Sequence, residues 1–314
     1  MQALWMVLAA FLFACMGACV KVASAHFNAA ELVFYRGLIG MALLWWLARS
    51  QGVRLATRYP AMHAWRSLVG VTALGAWFYA IAHLPLATAM TLNYMSSIWI
   101  AAFLVGGALL WWRPDSAAPA PAPGAEALGA QAPLVLTVLA GFAGVLLLLR
   151  PGLQAASGPQ GFASVVGVLS GMAAALAYLQ VVALSRLGEP ETRTVFYFAV
   201  GSALAGAGAL LLTGNSPWPG WLASAWLLPI GVLAAGGQLC MTRAYSRAGS
   251  RRGTLVVASL QYCGVAFGAI FGVLLFGESI ALTGWAGMAI IVASGVAATA
   301  LRGRAAPQAP AEEH

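Results

Sequence analysis

The chain has few residues capable of polar chemistry, and most of them sit inside apolar stretches. Arg36 lies within the apolar run 31–48, about five residues, or roughly 7 to 8 Å of helix rise, from one end of it. A charged side chain at that depth in hydrocarbon costs several kcal/mol on insertion scales, so a partner or a polar cavity must receive it. Two readings follow: Arg36 holds an anionic group of a solute, or it makes a structural pair with Glu31 or a helix-end carbonyl. The run 87–111 offers Asn93, Tyr94, Ser96 and Ser97, and Asn93 and Ser97, one helical turn apart, share a face. The run 253–276 offers Ser259, Gln261 and Tyr262. With Trp77, Tyr79 and Gln238 they can form a ring of neutral donors, acceptors and aromatic faces suited to a zwitterionic or aromatic solute. They can equally be polar contacts between helices, worth about 0.6 kcal/mol each.

Lys21 and Glu31 flank one short turn and could close a salt bridge or gate there, although an exposed pair contributes little. Glu278 ends the run 253–276 and reads as structural rather than proton-coupling. Gly264, Gly268 and Gly272 repeat at a spacing that lets helices approach closely. His83, ahead of Leu84-Pro85, reads as a surface histidine. The sequence has no GxSxG elbow, HExxH pair or phosphate-binding loop, so no enzyme and no cofactor is expected. Cys15, Cys19, Cys240 and Cys263 read as small buried hydrophobes rather than metal ligands or disulfides.

The elements that would position these residues follow from composition. Of 314 residues 61% are hydrophobic and 8% charged, with a mean hydropathy of +0.85. A water-soluble domain carries roughly 25% charged residues to wet its surface, so a soluble enzyme is excluded. Disorder is excluded by the same numbers. Apolar runs at 3–24, 31–48, 64–82, 87–111, 133–149, 162–185, 194–213, 221–243, 253–276 and 281–301 each approach the roughly 20 residues of a spanning helix. With the N-terminus in the cytoplasm, Arg49, Arg54, Arg58, Arg66, Arg113, Arg186, Arg193, Arg243, Arg247, Arg251, Arg252, Arg302 and Arg304 fall inside or at the inner edge. Only Lys21 and Arg150 then fall outside. This asymmetry places both termini in the cytoplasm of a multi-pass inner-membrane protein. It also accounts for the net charge of +8 without nucleic acid. Trp5, Trp45, Trp46, Trp65, Trp111, Trp112, Trp218 and Trp221 suit interfacial belts. The Pro- and Ala-rich stretch 114–132 reads as a mobile cytoplasmic linker, and 302–314 as a disordered tail.

A shift of 164 residues lays Ala80 on Ala244, Leu92 on Val256, Ala102 on Ala266 and Phe103 on Phe267, and makes Gln261 the counterpart of Ser97. Five runs, a connector at 151–161 and five more runs follow that register. An odd number of spans per copy inverts the second copy in the membrane, a plan used by alternating-access transporters with a site at mid-membrane. The expected fold is therefore an all-α membrane protein of ten transmembrane helices in two inverted five-helix repeats, 1–150 and 162–301.

On these runs the segments ELVFYRGLIGMALL at 31–44, FYAIAHLPLATAMTLNYMSSIW at 78–99 and LLFGE at 274–278 resemble the EamA family of the drug/metabolite transporter superfamily. The resemblance covers roughly 3–301. It implies a ten-helix secondary transporter or exporter of small organic metabolites, amino acids or similar, with alternating access around a central cavity. The chain departs from the pattern at Trp112-Arg113-Pro114, where the family often carries a glutamate. The substrate site expected on this reading comprises Arg36, Trp77, Tyr79, Asn93, Tyr94, Ser97, Gln238, Gln261 and Tyr262, with Lys21, Glu31 and Glu278 as gate or structural ion pairs. The partners are a small molecule and the lipid bilayer. A non-transporting scaffold or sensor is the alternative, favoured by a continuously apolar interior.

Overall fold

The computed structural model describes residues 2–96, 98, 99, 103, 133, 136–148, 159–247 and 260–304. Every regular element among the described residues is a helix. Helix α1 spans Gln2–Ala23, α2 Ala29–Ser50, α3 Pro60–His83 and α4 Leu86–Tyr94. Helix α5 covers Leu136–Leu148. Helix α6 spans Pro159–Arg186, α7 Glu191–Thr213, α8 Leu227–Ser246 after a single turn at Trp221–Ser224, α9 Cys263–Phe276 and α10 Leu282–Arg304. By length and composition α1, α2, α6, α7 and α8 with its preceding turn can each cross a bilayer, and Leu136–Leu148, Cys263–Phe276 and Leu282–Ala297 are shorter apolar helices. The stretch 114–132, residues 151–158 of the expected connector, the first residues of the run 253–276 and residues 305–314 of the expected tail lie outside the described residues, whereas 159–161 open α6 and 302–304 end α10.

Local chemistry sets the helix starts. Asn28 and Glu31 open α2 with reciprocal side-chain bonds, each accepting from the other's backbone N–H, which satisfies two donors that helix geometry leaves over. Prolines sit at the start of α3 and immediately before α4 and α7, where a missing N–H costs nothing.

The burial pattern fits hydrocarbon as solvent. Leu211 and Leu212 are each 89% exposed and Leu222 is 88% exposed, while Phe78, Met16, Leu86, Met90 and Leu92 are fully buried. Large apolar side chains on both sides of one wall are stable when that wall faces lipid. Trp45, Trp46, Trp65, Trp218 and Trp221 are likewise exposed, as an interfacial role requires, while Trp5 is half-buried with the Arg243 guanidinium over its ring. Trp111 and Trp112 lie outside the described residues.

Helix packing brings distant parts of the chain together. Helix α2 lies along α7, α3 along α6, α1 along α8 and α4 along α9. At the α2–α7 crossing Gly37 faces the Ala203 backbone and Gly206 faces the Phe34 backbone, so neither position has room for a Cβ. The glycine repeat of α9 packs on α4, with Gly264 against Tyr94 and Gly268 against Met90.

One expectation is corrected. The run 87–111 does not form an unbroken helix: α4 ends at Tyr94 and the chain turns at Met95. Leu260 is helical, and a turn at Gln261 and Tyr262 precedes α9. The Met95 amide N–H donates to the Thr91 and Leu92 carbonyls, so the turn leaves that buried donor paired.

Candidate functional site

Between the packed helix pairs lies a cavity of about 50 Å³ bordered by Phe13, Met16, Arg36, Arg66, Gly70, Trp77, Asn93, Tyr94, Tyr178, Phe198 and Gln238. Helix α2 contributes Arg36, α3 contributes Arg66 and Trp77, α4 contributes Asn93 and Tyr94, and α8 contributes Gln238. Of the residues expected at the site, the fold thus brings Arg36, Trp77, Asn93, Tyr94 and Gln238 to one place.

Both arginines are deeply buried, Arg36 at 4% and Arg66 at 3% exposure. The guanidinium carbon of Arg36 lies 5.1 Å from the centre of the Phe198 ring and that of Arg66 4.2 Å from it. Arg36 donates from Nη1 to Ser202 Oγ at 3.4 Å, a long bond. Nε of Arg36, and Nε and Nη1 of Arg66, have no hydrogen-bond partner. Insertion scales put a centrally placed arginine at about 2.5–3.5 kcal/mol. A cation over an aromatic face returns about 0.5–2 kcal/mol. The ring therefore offsets part of the cost, and those three nitrogens still lack acceptors.

The rest of the lining has the same polarity of demand. Trp77 Nε1 and the Tyr94 hydroxyl are buried without partners. Asn93 is held in place, donating from Nδ2 to Ser170 Oγ at 2.8 Å. Gly70, one turn after Arg66, leaves the space the guanidinium occupies; a Cβ there would meet Arg66 Nη1 and would sit 2.8 Å from Phe198 Cε2.

No described acid reaches this cavity. Glu31 accepts from Asn28 N at 2.7 Å and from Ser216 N and Oγ at 2.8 and 2.6 Å, so it ties the start of α2 to the segment after α7. It is not the partner of Arg36. Glu278 pairs with Lys21 and accepts from the Leu86 amide at 3.0 and 2.9 Å. Lys21 also donates to the Leu84 carbonyl at 2.8 Å. The pair expected between Lys21 and Glu31 is therefore replaced by Lys21 with Glu278, because α9 ends beside the α3–α4 turn.

At the opposite end, Glu189, in the turn between α6 and α7, is 9% exposed. It accepts from Thr57 Oγ1 at 3.0 Å and Arg193 Nη1 at 3.1 Å, and lies 3.2 Å from His63 Nε2. Burial alone would raise its carboxyl pKa, but these hydrogen bonds and the Arg193 charge hold it below the ordinary carboxylate value. Arg193 also donates from Nε to the Arg54 carbonyl at 2.8 Å, and Arg243 Nε donates to Glu191 at 3.0 Å. Polar ties thus join the 51–59 loop to α7, and α7 to α8.

Three expected site residues lie elsewhere. Tyr79 faces away from the cavity, stacked on His83 with ring centres 4.2 Å apart and edge-on to Phe162. Tyr262 is buried over Gly295 of α10, and Gln261, also buried, belongs to the same turn and does not border the cavity. Ser97 and Ser259 lie outside the described residues. Arg66 is the main omission of sequence reasoning, which set it among the inner-edge charges. Its position two turns into a helix, followed at i+4 by glycine, was the available signal. His83 is exposed as expected. The four cysteines are free, Cys240 buried and Cys15, Cys19 and Cys263 only half-buried, and no cluster of metal-ligating residues occurs among the described residues.

No family model matches the chain. Over 295 residues, 91% of this chain and 92% of the relative, it is 33% identical to the pseudopaline exporter CntI of Pseudomonas aeruginosa. It is 26% identical over 295 residues, 93% of this chain and 88% of the relative, to the riboflavin transporter of Rhizobium johnstonii. An uncharacterized transporter of Helicobacter pylori is 26% identical over 298 residues, 92% of this chain and 91% of the relative. A solved structure described only as a crystal structure of a protein superposes with a TM-score of 0.58 at 20% identity, covering 94% of this chain and 97% of its own, a likeness of fold.

Proposed function

The chain belongs to the membrane-transporter family of the pseudopaline exporter CntI, and from that premise we propose that it is a secondary exporter of small organic metabolites, amino acids or similar, in the inner membrane. The observation that carries this reading is the cavity holding Arg36, Trp77, Asn93 and Tyr94 with buried donors left unpaired. A scaffold gains nothing from leaving such donors unpaired at its centre, whereas a carrier needs groups whose partner is the solute. Arg36 fixes an anionic group, Asn93 and Gln238 supply hydrogen bonds, and Trp77 and Tyr94 form aromatic walls.

The helix arrangement supports alternating access. If α1 to α5 exchange with α6 to α10, the contact of α1 with α8 maps on that of α6 with α3, and α2 with α7 and α4 with α9 map on themselves. The packing has the pattern of two exchanged five-helix copies, which supports the inverted repeat and the EamA-type assignment. The turns at Met95 and at Gln261–Tyr262 fall at nearly corresponding places in the 164-residue register. Breaks of this kind mark binding regions in transporters built from repeats. On this reading the chain needs no soluble cofactor and is no enzyme.

Counterflow in proteoliposomes tests it. Vesicles loaded with pooled unlabelled amino acids and related metabolites are expected to accumulate a labelled member, and Arg36→Ala, verified as folded, to abolish accumulation. Absence of counterflow for every pool from correctly inserted protein, together with no ligand-induced stabilisation, would replace the exporter with a non-transporting module.

A further inference from the structure

We infer that the transported solute is an organic anion bearing at least two carboxylate groups, held jointly by Arg36 and Arg66 over the Phe198 ring. The inference rests on the exporter reading and narrows its substrate class.

Charge balance carries it. The chain has 8 acidic residues. Of those described, Glu31, Glu189, Glu191 and Glu278 are all engaged at the ends of helices. The others, Asp115, Glu126, Glu312 and Glu313, belong in sequence to the Pro- and Ala-rich stretch and the C-terminal tail. Two buried guanidinium groups therefore share one cavity with no carboxylate among the described residues to neutralise them. A zwitterion binding there leaves both positive charges uncompensated, and a monocarboxylate leaves one. A dicarboxylate neutralises the pair, and only the neutral complex can be enclosed in a low-dielectric interior without a charge penalty. Arginine's planar fork suits the task, since each can offer two parallel N–H donors to one carboxylate.

The neutral groups agree. Trp77 Nε1 is a donor only, and the Tyr94 hydroxyl can donate as well; both are buried and unpartnered. An ammonium group would need a carboxylate or several free carbonyls, and the lining offers only the Asn93 and Gln238 amides and the Tyr94 and Tyr178 hydroxyls, all neutral. The cavity, at about 50 Å³, holds a carboxylate's worth of water rather than a whole metabolite, so the helix pairs must part for the solute to enter.

The test uses purified full-length protein in detergent, with acetate, succinate and citrate as probes at matched ionic strength and sodium chloride as the control. Succinate and citrate are expected to raise the melting temperature by several degrees more than acetate, and Arg36→Gln and Arg66→Gln each to reduce that shift to the acetate level. If Arg66→Gln does not fold, Arg66→Lys keeps the charge, loses the fork, and is expected to retain less than half of the shift. Equal shifts for acetate and succinate, or a succinate shift that survives Arg66→Gln, overturn the inference. Counterflow separates the two levels of the argument. Amino-acid counterflow indifferent to Arg66→Gln keeps the exporter and refutes the dianion site. An arginine-dependent succinate shift without counterflow of any solute keeps the site and refutes the exporter.

Discussion

Replacing Gly70 by alanine sets two opposed effects against each other, and the structure decides which wins. Within helix α3, glycine to alanine gains about 0.8–1.0 kcal/mol in helix propensity. At Gly70 the added methyl would collide with Arg66 Nη1 and approach Phe198 Cε2 to 2.8 Å, and overpacking of this kind costs about 1–3 kcal/mol. The net effect is a destabilisation of about 0–2 kcal/mol. Gly75 on the same helix supplies the control, because a Cβ there meets nothing within 4 Å. Gly75→Ala should keep the whole propensity gain. The two variants should therefore differ by the overpacking term, about 2–12 °C in melting temperature at roughly 2–4 °C per kcal/mol. Displacement of Arg66 should remove a charge-assisted hydrogen bond to the solute worth about 1.5–3 kcal/mol, or about 10- to 150-fold in transport efficiency. Thermal unfolding in detergent and counterflow in vesicles measure both quantities. Coincident melting of the two variants with equal transport would refute the wedging of Arg66 beneath Phe198, and with it the construction of the site.

Tyr94→Phe removes a buried hydroxyl that has no partner and should stabilise the protein by about 1 kcal/mol or more while weakening transport; a lower melting temperature would show that the hydroxyl is bonded within the protein. For Glu189 the folded carboxyl is held below its ordinary value, so its stabilising contribution is complete above the unfolded pKa of about 4.3 and is lost as pH falls through the lower folded value. The Glu189 contribution should thus hold from about pH 7 to 5 and be lost below about 4, on top of a decline that begins near about pH 6.5 because burial lowers the pKa of His63 beside it; Glu189→Gln should melt lower at pH 7 with a flatter limb below about pH 4, a pattern checked by melting curves across that range.

Much of the architecture was legible in the chain because hydrocarbon imposes a one-dimensional rule. A spanning helix needs roughly 20 apolar residues whatever it packs against, so the first, second, sixth and seventh runs coincide with α1, α2, α6 and α7 to within a few residues. Arg36 was legible for the same reason, since a charge in such a run declares itself. What the run cannot reveal is which neighbour faces it. Lys21 met Glu278, 257 positions away, instead of Glu31, because α9 ends beside the turn after α3. Tyr79 shares a helix with Trp77 but stacks on His83, since two residues of separation turn a side chain about 200° round the axis. Gln261 and Tyr262 matched the register of the first copy, yet the turn before α9 directs Tyr262 to α10.

Arg66 shows the limit most clearly. As a basic residue six positions into a helix it was indistinguishable from the charges that retain loops in the cytoplasm, which obey composition and need no partner. Its meaning depends on Phe198 and Tyr178, contributed by α7 and α6, and on the absence of a Cβ at Gly70. Apolar length and charge are properties that each segment carries alone, and the sequence determines them. The pairing of two arginines over one ring is a property of three helices in contact, and tertiary packing alone decides it, because burial and partner choice exist only once those helices meet.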